Sequence, residues 1–195
     1  SNLTAVAVSA ARREGVLTCL KHFPGHGATA VDSHLAFVSL AATVDELRRA
    51  DLRPFARGAA AGAESVMMGH VAPRDRSLPA SLDPEIIGGL LRRELGFDGV
   101  VMTDALEMEG ARAVARSLPE VCRLSLEAGC DVLLFSKPAV EVFEALRAPE
   151  SEAPAEGLWS EEWSGAEGVS AARVRRLRER LERDDVFVVE VEDAR

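Results

Sequence analysis

The chain has 195 residues, enough for one domain with a substantial core and short for the larger single-domain enzymes. Its formal net charge is −9 with a pI near 5.0, which argues against a nucleic-acid footprint or a polybasic membrane surface. No run of 18 or more apolar residues occurs, and the opening SNLTAVAVSAARREG lacks the basic start and long apolar centre of a signal peptide. The expectation is an acidic, soluble protein of the cytoplasm, with export left open because the chain begins at Ser1 and not at Met.

In chain order, short apolar runs alternate with helical patterns. VLTCL at 16–20, SVMM at 65–68, GVVMT at 99–103 and DVLLF at 131–135 are brief and apolar without alternation, as strands covered on both faces are. Between the first two, Thr43 and Glu46 make a capping box ahead of Leu47, Leu52 and Phe55. Asp83–Pro84 starts the next helix, with Ile86, Ile87, Leu90, Leu91 and Leu95 as its apolar stripe and Gly96 as its stop. A third helix runs from Pro119 to Ala128 and closes at Gly129. The order β-α-β-α-β-α-β predicts an α/β fold with a parallel sheet and crossover helices.

Beyond Ala148 the composition changes. Residues 1–148 read as the folded domain, the acidic Pro-, Gly- and Ser-rich stretch 149–168 as a linker or surface loop that Trp159 and Trp163 can pin down, and 169–195 as a tail. Within that tail VSAARVRRLRERLERD predicts a basic-faced helix and VFVVEV, at 186–191, a terminal strand. Cys19, Cys122 and Cys130 have neither a CxxC pair nor a neighbouring histidine, and read as small buried hydrophobes in a reducing compartment.

The unusual polar residues fall after the strands. KHFPGHGATAVDSH, residues 21–34, follows the first, Gly69 and His70 the second, Asp104 the third, and Ser136 and Lys137 the fourth. Carboxyl strand ends are where parallel α/β architectures build active sites, because side chains from several strands converge there. His22 and His26 are four apart, but Pro24, Gly25 and Gly27 rule out the helix that would make this a metal-ligand spacing, so no metal and no cofactor is expected. Asp32 can orient the imidazole of His34 and favour its charged form, making a positioned acid; the plainer alternative is a solvated loop histidine. Asp104 can equally be the N-cap of a following helix. Taken together, a carboxylate on one strand end and a proton donor on a loop from another suggest carbohydrate chemistry.

KHFPGHGATAVDSH resembles the signature of glycoside hydrolase family three, in its bacterial β-N-acetylglucosaminidase subgroup. GVVMTDALEMEG, with LRRELGFDG before it, resembles that family's nucleophile segment, and ESVMMGHV and EAGCDVLLF agree, in order from about residue 15 to 147. The resemblance implies that Asp104 attacks the anomeric carbon, that His34 is the acid/base with Asp32 as its dyad partner, and that Lys21 and His22 hold sugar hydroxyls. His70 would border the same pocket, and His26 would at most brace the loop. The implied fold is a TIM-type (β/α)8 barrel of ~250 residues, of which this chain would be the C-terminal half, strands five to eight. The upstream sugar-clasping residues would then be missing and the edge strands would need a cover: the upstream half, a second copy in a homodimer, or the VFVVEV tail with the two tryptophans folded back over one edge. The implied substrate is a small carbohydrate, a terminal β-linked N-acetylglucosamine as in peptidoglycan recycling. A phosphorylase of the same family and a non-catalytic fragment stand as alternatives.

Overall fold

The computed structural model describes residues 2–26, 38–115, 117–136, 164–181 and 188–191. Asp32, His34 and Lys137 lie outside them, as do the two tryptophans.

The four expected strands are present as β1 (Leu17–Phe23), β3 (Ser65–Met68), β5 (Val100–Ala105) and β6 (Val132–Leu134). Two short strands, β2 (Val38–Ser39) and β4 (Val71–Ala72), pair with each other in a separate ribbon, and β7 (Val188–Val191) comes from the tail. The main sheet has the order β6-β5-β3-β1-β7 and every pair in it is parallel. Leu17 to Leu20 and Ser65 to Met68 are buried throughout, which explains why the strands read as continuous apolar runs.

Helices α1 (Asn2–Arg13), α2 (Val44–Arg49), α3 (Leu52–Ala60), α4 (Glu109–Arg112), α5 (Leu118–Ala128) and α6 (Ser164–Leu181) flank the strands, with a wide helix at Glu85–Glu94. The capping box forms as expected: Thr43 Oγ1 accepts from the Glu46 N–H at 3.3 Å, and Glu46 Oε2 accepts from the Thr43 N–H at 2.8 Å. The expected single helix nevertheless breaks at Ala50–Asp51 into α2 and α3. Asp83 starts the wide helix as expected, its Oδ1 accepting from the Glu85 N–H at 2.9 Å, and the last turn closes Leu95 N–H onto the Leu90 carbonyl five residues back. Helix α5 is capped by Ser117 and ended by Gly129 in the left-handed region, φ +110°.

The main core joins α1, α3 and the wide helix to the sheet through Val8, Leu20, Phe55, Val66, Ile87 and Val101. Phe23 lies edge-to-face with Phe55 at 5.1 Å, and full burial of such a side chain contributes roughly 1.5–3 kcal/mol. Gly58 is needed for this packing, since a β-carbon there would stand 2.7 Å from the Leu20 side chain. Cys122 and Cys130 are buried, and burial pushes both thiols up, Cys122 to about 12, so neither is a nucleophile.

The amino ends of the strands are closed by charge. Asp131, just before β6, has a fully buried carboxylate that takes Arg92 Nη2 at 2.7 Å, the Val101 N–H at 2.9 Å, Ser170 Oγ at 2.6 Å and Arg173 Nη1 at 3.2 Å. Glu64, just before β3, accepts from the N–H and hydroxyl of Thr18 and from Arg180 at 2.8 Å. Arg173 and Arg176 also reach Asp98. The basic face expected of the tail helix is thus spent on carboxylates at one end of the sheet. That helix starts at Ser164, inside the stretch expected to be linker.

Of the ways expected to cover an open edge, the tail strand is the one seen on β1: Leu17 to Leu20 run in register with Val188 to Val191. A protein ending before residue 182 is expected to expose the unpaired N–H and C=O groups of β1 and to shift in light scattering from the full chain's mass to larger species; an unchanged mass would show that β7 guards nothing.

Candidate active site

The carboxyl ends of β1, β3, β5 and β6 lie opposite the ion-paired end. Lys21 and His22 stand near the carboxyl end of β1, just before Phe23, and both are half-buried. The Lys21–His22 and Phe23–Pro24 peptides are cis. The Gly25 N–H then closes onto the His22 carbonyl at 2.9 Å with φ +128° at Gly25, a conformation that favours glycine. Gly69 leaves β3 with its N–H on the Phe23 carbonyl at 2.9 Å. A β-carbon at Gly69 would stand 3.3 Å from that of His22 and 3.6 Å from the His26 ring, so the glycine lets the two strand ends close up.

Asp104 sits near the end of β5. Its Oδ2 is 3.5 Å from His22 Nε2, with the two side chains 20% and 27% exposed, and its Oδ1 accepts from the Ala105 N–H at 2.8 Å. The carboxylate is therefore oriented, reachable from solvent and beside an imidazole from a different strand. His26 stacks edge-on against His22 at 5.8 Å. Asp104 precedes no helix directly and is not an N-cap; the helix after it, α4, starts at Glu109 with Met108 as its cap residue.

His70 is fully buried. Its Nδ1 is 2.8 Å from Ser81 Oγ and its Nε2 is 3.0 Å from the Ala105 carbonyl. Burial pushes its pKa down, against the raising influence of Asp104 and the Ala105 carbonyl. The structure thus brings His22, His26, His70 and Asp104 to one place, with His70 beneath the surface and Lys21 beside His22 in β1. Asp32 and His34 fall outside the described residues.

Two members of the cluster were missed from the sequence. Ser81, in LPASLDP, carries no signal of its own. Glu107 accepts at Oε1 from the N–H of Ser136 at 2.6 Å and from its hydroxyl at 2.5 Å, tying the β5 end to the β6 end; a carboxylate three residues after Asp104 was the available hint. Among the described residues no three His, Cys, Asp or Glu side chains could hold a metal ion, and no helix is long and apolar enough to cross a membrane.

The Glycosyl hydrolase family 3 N terminal domain matches residues 1–153. A beta-hexosaminidase of Stenotrophomonas maltophilia is 43% identical over 146 residues, which are 74% of this chain and 43% of that protein. A family 3 β-N-acetylglucosaminidase structure from Paenibacillus superposes with a TM-score of 0.78 at 35% identity, covering 97% of this chain and 36% of the other. A beta-glucoside phosphorylase, BglX, superposes with a TM-score of 0.73 at 30% identity, covering 89% of this chain and 33% of the other. The chain thus spans well under half the length of these relatives. A parallel α/β sheet with its polar cluster at the carboxyl strand ends, and a family match over most of the chain, make this protein a member of glycosyl hydrolase family 3 through its N-terminal domain.

Proposed function

We propose that this chain supplies strands five to eight of a (β/α)8 barrel and, with them, the nucleophile and acid/base of a retaining β-N-acetylhexosaminidase. The observation that carries the reading is the Asp104 carboxylate at the end of β5, oriented by the Ala105 N–H and 3.5 Å from the His22 imidazole of β1. In this scheme Asp104 attacks the anomeric carbon of a terminal β-linked N-acetylglucosamine, of the kind found in peptidoglycan fragments. The glycosidic bond breaks as the His34 imidazolium passes its proton to the leaving oxygen. The neutral imidazole then takes a proton from water as the water oxygen attacks the same carbon and releases the Asp104 carboxylate. Asp32 holds the His34 ring, while Lys21 and His22 bind sugar hydroxyls.

A fluoro-sugar donor, offered with the first four strands supplied, is expected to leave a glycosyl group on Asp104, read by peptide mapping. Label on Asp131 or Asp98 would overturn the assignment. Both stand at the opposite end of the sheet, Asp131 with its side chain 0% exposed. No label anywhere would favour a non-catalytic fragment.

The similarity to a phosphorylase gives a second reading some support. An imidazole that has given up its proton is neutral and does not repel an anionic acceptor, as a carboxylate would. Hydrolysis is the reading preferred here, on the 43% identity to a beta-hexosaminidase. Phosphorus NMR of the products formed in phosphate buffer is expected to show no sugar 1-phosphate; its appearance as the main product would reverse the preference.

A further inference from the structure

We propose that His70 is a positioning residue for Asp104, acting from beneath the strand ends through the backbone of Ala105 and not by touching a sugar. The inference rests on the reading of Asp104 as nucleophile only for its functional meaning; the geometry stands by itself. The Ala105 carbonyl can only accept, so the His70 nitrogen 3.0 Å from it, Nε2, must be the donor. In the neutral ring Nδ1 is then the acceptor, and the Ser81 hydroxyl, 2.8 Å away and fully buried, donates to it. The tautomer is set by a partner on a separate element, the 3-10 turn at Ala80–Leu82.

Ala105 connects this ring to the carboxylate. Its carbonyl takes His70 Nε2–H and the Met108 N–H at 3.1 Å, and its own N–H donates to Asp104 Oδ1 at 2.8 Å. The carbonyl and the N–H lie in adjacent peptide planes joined at the Ala105 Cα, so holding the carbonyl narrows the φ and ψ open to Ala105 and with them the directions in which its N–H can point. The N–H in turn holds Asp104 in one orientation, with Oδ2 toward His22. Burial, which pushes the His70 pKa down and so favours the neutral ring, and the absence of exposed ring surface both suit a clamp and leave it no face for a ligand.

The test uses the full chain and needs no turnover. Nitrogen-15 spectra of the histidine rings at neutral pH are expected to show His70 with a protonated Nε2 and a bare Nδ1; the opposite tautomer or a doubly protonated ring would overturn the proposal. Hydrogen exchange at the Ala105 amide is the second readout. His70→Ala is expected to speed it about two- to tenfold, the scale of losing a neutral hydrogen bond, while exchange at Val101, in the same strand, stays unchanged. His70→Gln, which keeps an N–H donor, is expected to recover part of the protection. Equal acceleration at Val101 and Ala105, or no change at Ala105, would sink the idea. Should both His70 variants fail to fold, Ser81→Ala keeps the ring and removes its Nδ1 donor. It is expected to lower the Nε2–H population and speed Ala105 exchange, and a spectrum like that of the parent protein would count against the clamp. A fluoro-sugar that fails to label Asp104 would remove the nucleophile and leave these results standing, so the two readings fail separately.

Discussion

With the barrel complete, His34→Ala is expected to slow substrates with poor leaving groups by about 10²–10⁴-fold, the usual worth of a positioned general acid. Activated aryl glycosides should lose far less, because their leaving oxygen needs no proton in the first step. Asp32→Asn should reproduce part of the loss, since an amide still accepts a hydrogen bond from the ring but supplies no charge to favour the imidazolium. Steady-state rates on the two substrate types decide the matter: equal losses would show that His34 does not deliver the proton. The experiment matters most at this position, because the acid/base is assigned through the DSH motif alone.

The largest expected loss of stability is at the other end of the sheet. Asp131→Ala removes the carboxylate that Arg92, Arg173, Ser170 and the Val101 N–H share. Arg92 is pressed into the same pocket, with its side chain 14% exposed and its pKa pushed down by burial. It also donates to the carbonyls of Phe97 and Gly99 and lies over the Phe97 ring. Breaking a buried pair by deleting one member leaves an uncompensated charge and costs about 3–5 kcal/mol. Urea denaturation should show that loss at an unchanged m-value, with Asp131→Asn milder because its amide oxygen can still accept from Val101. A midpoint within experimental error of the parent would mean that water already screens the cluster.

These two predictions mark the division of labour along the strands. Residues at the amino ends, Glu64, Asp98 and Asp131, bind the arginines of α6, and residues at the carboxyl ends carry the candidate chemistry. Separating them lets the first set be fully paired while Asp104 remains accessible.

The alternating order of apolar runs and capping signals was enough to locate β1, β3, β5 and β6 and the helix starts at Thr43 and Asp83, and the third helix to within one residue of its Leu118 start, because each depends on a few neighbouring residues. The same holds for Asp104 and for Lys21–His22, which lie inside long motifs. Contacts between distant segments were decided only by the folded chain. The use of the tail's arginines on buried carboxylates and the pairing of β7 with β1 depend on partners 30 or more residues away. His70 shows the reason most plainly. Its sequence neighbours mark a strand end and so suggest a pocket residue, yet its two ring partners come from Ser81 and from Ala105, 11 and 35 residues along the chain. Whether a histidine faces solvent or a backbone carbonyl is set by what packs over it, and packing is a property of the tertiary structure.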